Sequence, residues 1–347
     1  MDAKRMYQSA MMMRFVRKLA SLRLTLLAML GLVMAIFIAY FNARVSYVWI
    51  AVPLGVMAVN LAAALATNPR LRSEPALVGF HLALVVLCVL GALDALTRFQ
   101  GRVELVNGQM LHTGQVQVIT EGLWHRSQLD GLMLKQGTIK VEYAPGMIRQ
   151  QTRSAVYYTE GTEEKRVVLS ETRPLILQGY RFAPTPNKGY AMVLSWRDAN
   201  GKVAQGAIHF PSYPAHEWRQ QQAWQTPAGQ RVSLELKPPE RPPTDSPWVL
   251  KAEGAPVKAF LMMEGDTVEL EPGYWHEMQN GALRLDDVRL WMGYSIDYQP
   301  AIQWLFAVSL IGIAALAAYF YRRLWRPSMR ARRVVQQRSD SDVVARI

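Results

Sequence analysis

The sequence predicts a membrane protein with an all-β insertion. Four transmembrane helices, three N-terminal and one C-terminal, frame a β-sandwich-like domain between helices three and four. Three observations predict it. Four long apolar runs lie at about Leu24–Phe41, Tyr47–Ala66, Ala76–Thr97 and Ala301–Tyr321. Each approaches the roughly 20 residues that cross a bilayer at about 1.5 Å per residue. Between the third and fourth runs the apolar period changes from 3.6 to 2. Lys and Arg gather at one set of helix ends. The resulting divisions are a basic lead-in over 1–23, three helices over 24–97, a β-rich domain over 98–300, a fourth helix over 301–321 and a basic tail over 322–347.

The chain has 347 residues and is 50% hydrophobic, but the apolar residues are concentrated towards its two ends. The segment up to Ala20 is basic and Met-rich and reads as an interfacial amphipathic anchor. No small-residue cleavage pattern follows Tyr40, so the first apolar run reads as a retained helix, not a signal peptide. The second run carries Trp49, suited to an interface, and Pro53, placed in the first turns where its missing donor matters least. Its polar residue is Asn60. The third run begins after Pro75 and holds His81, Cys88 and Asp94. Asp94 lies near the far end, within reach of interfacial water or Arg98.

From Gly101 onwards the chain reads as short strands separated by turns. They are expected at Gly101–Gln109, Gln115–Thr120, Thr138–Ala144, Ser154–Glu160, Lys165–Ser170, Arg173–Ala183, Tyr190–Asp198, Val203–Phe210, Arg231–Lys237, Pro256–Met263 and Val288–Tyr298. The stretch from Asp198 to Gly201 is a hairpin turn. Lys237–Pro247 is a Pro-rich interruption. The tail from Pro327 is polar and reads as disordered.

Basic residues set the orientation. Lys4, Arg5, Arg14, Arg17, Lys18 and Arg23 precede the first helix. Arg70 and Arg72 lie between the second and third, and Arg322, Arg323, Arg326, Arg330, Arg332 and Arg333 follow the fourth. Only Arg44 lies between the first and second. By the positive-inside rule both termini face the cytoplasm and the β-rich domain is exported. The net charge of +12 is then a property of membrane edges, and nucleic acid is not an expected partner. The single cysteine, Cys88, lies within a membrane helix, so the exported domain has neither disulfides nor thiol chemistry of its own.

His81 is the main candidate site residue. A histidine in hydrocarbon is costly unless it faces protein or a cofactor. Its imidazole can be an axial haem ligand or an interhelical hydrogen-bond partner. Asn60, at similar depth in the neighbouring antiparallel helix, fits either reading, as a partner that fixes the imidazole tautomer or as packing between helices. His112, His125, His209, His216 and His276 show no zinc-type spacing, and Asp286 and Asp287 read as turn residues. G-x-S-x-G, H-E-x-x-H, a phosphate loop, C-x-x-C and C-x-x-C-H are all absent from the sequence.

The layout and several stretches resemble the ResB family, also called CcsB, of the System II cytochrome c biogenesis machinery. Lys18–Thr25 (KLASLRLT) is similar to the family's entry into its first helix, and Val59-Asn60-Leu61 to the end of its second. Phe80–Gln109 (FHLALVVLCVLGALDALTRFQGRVELVNGQ) carries the most specific likeness: the third-helix His, Gly91, Phe99-Gln100-Gly101 and the strand that follows. Leu290–Tyr321 resembles the last strand running into the last helix. The chain departs from the pattern at Asp297-Tyr298-Gln299-Pro300, where the family usually has Asp-Pro-Gly, and its exported domain is short for the family.

The resemblance implies a multi-pass protein of the bacterial cytoplasmic membrane. It implies a subunit of a complex that carries haem across the membrane and presents it to apocytochrome c, not an enzyme alone. The implied partners are a CcsA-like multi-helix haem-handling chain, apocytochrome c and lipid. The implied cofactor is haem b shared with that partner, with His81 as an axial ligand of the haem iron. Arg70 and Arg72, on the same side, are candidate contacts of its propionates. The alternative is a cofactor-free membrane scaffold with an exported interaction domain. An enzyme acting at the outer surface would need a convergent acid, base or metal site that the sequence does not display.

Overall fold

The computed structural model describes residues 2–42, 47–214, 219–238, 245–252, 257–263 and 265–344. They form two compact units. One holds the helices together with residues 120–126, and the other holds residues 100–119 and 127–298. Most of the Pro-rich interruption expected at Lys237–Pro247 lies outside the described residues.

The helices of the first unit are α1 (Asp2–Leu19), α2 (Leu22–Phe41), α3 (Val48–Thr67), the single turn α4 (Pro69–Arg72), α5 (Pro75–Thr97) and α6 (Ile302–Val344). α2, α3, α5 and the Ile302–Leu324 part of α6 are long and apolar enough to cross a membrane. The chain is a multi-pass membrane protein. Pro75 opens α5 at the position where a missing N–H costs nothing. α2 packs on α3, α3 on α5 and α5 on α6, with α1 also against α3.

Small residues set the α5–α6 contact. A Cβ on Gly312 would lie 3.2 Å from the Ala83 Cβ, and one on Gly79 would lie 3.5 Å from the Ala315 Cβ. In lipid the apolar tails compete with any apolar side chain, so close backbone approach through Gly and Ala drives helix association. These paired contacts run antiparallel.

The basic tail differs from expectation. It continues α6 as helix to Val344, with Pro327 inside. The segment after Tyr321 is rich in Arg, Gln, Val and Ala and contains no Gly, so nothing but Pro327 opposes helix there.

The β-rich region contains β1 (Phe99–Val106), β2 (Gln117–Glu121), β3 (Leu134–Ala144), β4 (Ile148–Glu160), β5 (Glu163–Leu169), β6 (Leu175–Leu177), β7 (Tyr180–Asp198) and β8 (Val203–His209). It continues with β9 (Gln220–Gln225), β10 (Arg231–Lys237), β11 (Trp248–Leu250), β12 (Lys258–Met263), β13 (Asp266–Leu270), β14 (Trp275–Met278) and β15 (Gly281–Tyr298). Three sheets result. The first runs β2-β1-β15-β7-β6 with β14 on β15 and β8 on β7, the second β13-β12-β10-β9 and the third β11-β3-β4-β5. Pairing is antiparallel, as in β7 on β15 and β3 on β4.

The sequence divided β7 into two strands. It is one 19-residue strand paired along β15 through two bulges, at Leu285/Asp287 and Met292/Tyr294. Pro184, Pro186 and Gly189 read locally as breaks, and the long partner strand overrides them. β9, β11, β13 and β14 were not foreseen. QQQAWQ lacks an apolar alternation, and three- to five-residue strands lie below the length at which a period can be read. Asp286 and Asp287, expected in a turn, lie within β15 beside a bulge. Asp286 accepts hydrogen bonds from Ser195 (2.6 Å), Gln205 (2.7 Å) and the Arg284 Nε (2.7 Å). Those donors hold its carboxyl below the usual range against the opposing effect of burial.

A buried polar network joins two of the sheets. The Tyr294 hydroxyl on β15 donates to the Gln136 Oε1 and meets the Ser154 hydroxyl, and the Gln136 Nε2 donates to Ser154 (2.7 Å). Gln136 and Ser154 are fully buried, so the Tyr294 hydroxyl satisfies groups that water cannot reach. Tyr294→Phe is expected to cost about 1–3 kcal/mol by leaving the Gln136 oxygen unpaired. Urea unfolding of the detergent-solubilised chain checks it, and an unchanged midpoint contradicts it.

Lys188 on β7 is only 3% exposed. Its Nζ donates to the Pro186 carbonyl (3.2 Å) and sits 5.7 Å from the centroid of the Tyr143 ring. Burial, then Arg149, push it down to about 8, while Glu171 opposes. The folded chain therefore binds fewer protons than the unfolded chain, and stability rises with pH from about 8 towards 10. Above about 10 the buried Tyr143 and Tyr213, each pushed up to about 12, reverse the slope. Lys188→Met is expected to raise Tm at pH 7 and to flatten the rise between pH 8 and 10. Thermal unfolding at pH 7, 9 and 10 reads both.

Candidate functional site

The site is built on α5, the helix flanked by α3 and α6. His81 lies six residues into it, about 9 Å along the axis from Pro75. The side chain is partly buried, and its Nδ1 lies 2.8 Å from the Leu77 carbonyl one turn back. A carbonyl oxygen only accepts, so Nδ1 must carry the proton. In that tautomer Nε2 is the nitrogen that carries the lone pair. No hydrogen-bond partner of Nε2 occurs among the described residues. A backbone carbonyl that fixes one ring nitrogen and frees the other is the usual preparation of a metal-ligating histidine.

The surroundings are apolar. Leu82, Val86, Val89 and Leu93 form an exposed stripe one position round from His81 on the same helix. An axial ligand to haem iron needs one neutral imidazole nitrogen in a setting that accepts a flat apolar macrocycle, and His81 fits. This helix offers one such nitrogen.

Asn60 does not serve His81. It is 4% exposed, and its Nδ2 donates to the Leu19 carbonyl (2.6 Å) and the Ser21 carbonyl (3.0 Å). Its Oδ1 accepts from the Thr25 hydroxyl (2.7 Å). Both amide protons are thus committed to the α1–α2 junction, and none is left for an imidazole. The packing alternative describes Asn60. At the α1–α2 break one Asn60 proton goes to the Leu19 carbonyl, and the other goes to the Ser21 carbonyl, which also accepts from the Leu24 and Thr25 N–H groups.

Arg72 ends α4, is exposed and makes no ion pair among the described residues. The Arg70 side chain lies outside the described residues. Cys88 is partly buried on the same helix as His81. Asp94 pairs with Arg98 at 3.4 Å, and the Arg98 guanidinium lies 5.4 Å from the centroid of the Tyr47 ring.

A sequence model of the ResB-like family matches residues 65–345, which begin just before α4 and extend beyond α6. The chain belongs to the ResB-like family. That family is associated with cytochrome c biogenesis. No curated protein sequence matches this ResB-like chain.

The β-rich region holds a cleft that sequence reading missed. It has a volume of about 810 Å³ and is lined in part by Arg102, Glu104, His112, Gln205, His209 and Arg289. The His209 Nδ1 stands 3.9 Å from the Glu104 Oε2. Burial pushes Glu104 up and His209 down, so both tend towards their neutral forms. Apart from His112, in the loop after β1, these residues come from β1, β8 and β15, whose meeting no spacing in the sequence announces. Of the other histidines, His276 keeps a buried Nε2 with no partner among the described residues, and His216 lies outside them. Among the described residues no group of His, Cys, Asp and Glu could hold a metal ion.

The different duties of Asn60 and His81 can be separated. Asn60→Ala is expected to destabilise the chain by about 1–2 kcal/mol and to leave any haem absorption band unchanged in position. An altered band position would return Asn60 to the imidazole.

Proposed function

We propose that this ResB-like chain is a haem-handling membrane subunit of a cytochrome c biogenesis complex, acting with a CcsA-like partner to bring haem to apocytochrome c. One observation carries the reading: the His81 imidazole is fixed as the Nδ1–H tautomer by Leu77, which leaves Nε2 free on an apolar helix of a chain in this family. His81 would hold haem through its Nε2 lone pair, and haem when bound would supply the iron that takes it. Leu77 holds the ring's orientation, and the Leu82–Leu93 stripe gives the macrocycle an apolar surface. The residues that complete the haem site would come from the partner chain. Arg72 and Arg70, at the end of the bundle nearer His81, would meet the anionic propionates.

The orientation follows the same reading. The start of α2, the α4 turn and the far end of the α6 membrane span carry the basic clusters. Antiparallel packing brings these ends to one side of the membrane, the cytoplasmic side in this reading. The β-rich region would then face the periplasm or the outer surface of the bacterial cytoplasmic membrane and receive the partner or the apocytochrome. A cofactor-free scaffold is the competing reading, and the bonds of Asn60 show one such packing role within the bundle.

The test is an absorption spectrum of the chain purified with its co-expressed partner. His81→Ala is expected to abolish the Soret and α-bands, and His81→Gly with added imidazole to restore them. Unchanged bands in His81→Ala would move the haem to the partner. The absence of haem from every sample would favour the scaffold.

A further inference from the structure

We propose that the segment Glu121–Arg126 is a membrane-interface anchor that places Leu123 and Trp124 at the headgroup–acyl boundary of the leaflet in which α5 ends. The segment lies in the sequence of the β-rich region, yet it packs with the helices as part of their compact unit. Leu123 is 71% exposed and Trp124 is 57% exposed. One exposed apolar side chain is ordinary. Two adjacent ones, fixed to the end of a membrane span, are placed where lipid is.

The fixing is specific. The Gly122 N–H donates to the Arg98 carbonyl (2.8 Å), and the Trp124 N–H donates to the Leu96 carbonyl (2.8 Å). The His125 Nδ1 donates to the Thr97 carbonyl (3.2 Å), and its ring stacks on Phe99 with centroids 4.9 Å apart. The last carbonyls of a helix have no partner within it. Here the end of α5 is capped by a segment more than twenty residues downstream. Gly122 makes the approach possible, because a Cβ there would lie 2.3 Å from the Leu96 oxygen.

The position agrees with the other aromatics of the bundle. α3 and α6 begin at the end where α5 finishes, and they carry Trp49 (65% exposed) and Trp304 (59% exposed). Tyr47 lies under Arg98 at the same end. Trp and Tyr concentrate at both bilayer interfaces, where an apolar ring meets a wet edge. Trp124 completes this belt from outside the spans. The occupant is lipid, because the Leu123–Trp124 pair is bonded to the end of a membrane span at which the neighbouring spans also begin with exposed Trp49 and Trp304.

The test uses the full chain in lipid nanodiscs of phosphatidylcholine and phosphatidylglycerol, in a Cys88→Ala background. Leu123→Cys carries a spin label, with Ile311→Cys as a label in the membrane span and Asn200→Cys as a label on the β7–β8 turn. Power saturation with oxygen and with a water-soluble nickel chelate reads depth. The expected result at 123 is an oxygen-to-nickel accessibility ratio several-fold above that at 200 and below that at 311. A ratio equal to that at 200 would overturn the anchor. Low accessibility to both reagents would overturn it in favour of a protein covering the site. Gly122→Val in the Leu123→Cys chain, with retention of the gel-filtration profile, is expected to move the ratio at 123 towards the value at 200; no movement would overturn the role given to the cap.

Discussion

A bilayer offers no hydrogen-bond partners, and that scarcity governs this structure. Each span closes its backbone bonds within a helix, and each break in a helix must be answered by something nearby. Asn60 answers the break between α1 and α2 with both of its amide protons. Gly122, Trp124 and His125 answer the end of α5. Leu77 answers the His81 Nδ1. The last differs in kind, because it satisfies one nitrogen and leaves the other unsatisfied. An unpaired nitrogen in an apolar setting costs stability unless something comes to it, and the haem ligation proposed for His81 would offset that cost.

The bundle explains why a site on α5 would be shared. α2, α3, α5 and α6 pack in series, each on the next, and their outward faces are apolar and open. Gly79, Ala83, Gly312 and Ala315 draw α5 and α6 too close for a macrocycle between them. His81 and the Leu82–Leu93 stripe therefore offer a surface to a neighbour, not an enclosed pocket. The β-rich region works differently. Its order comes from long paired strands and buried polar links such as Tyr294–Gln136–Ser154, which satisfy groups away from water.

Much of this was legible without coordinates. The four spans are long uniform apolar runs, and length alone identifies them because no soluble element needs twenty apolar residues in succession. His81 was legible as a polar exception in such a run. Most strands were legible from alternation. Less visible were features made by distant partners. Asn60 looked like a neighbour of His81 because depth can be counted along a helix, but the face it turns cannot. Asp286 looked like a turn because acidic pairs often are, while three donors from β7, β8 and β15 hold it within a strand.

The order of residues alone therefore settled composition-driven matters: how many helices are long and apolar enough to span the membrane, that a sheet-rich region lies between the third and fourth, and which helix carries a lone imidazole. These depend on transfer between water and hydrocarbon, a property each segment has by itself. Tertiary structure decided which face each polar group turns, which nitrogen of His81 is free, and that Leu123 and Trp124 are tied to the end of α5. Those depend on hydrogen bonds between residues far apart in the chain, whose direction is fixed only once both partners are in place.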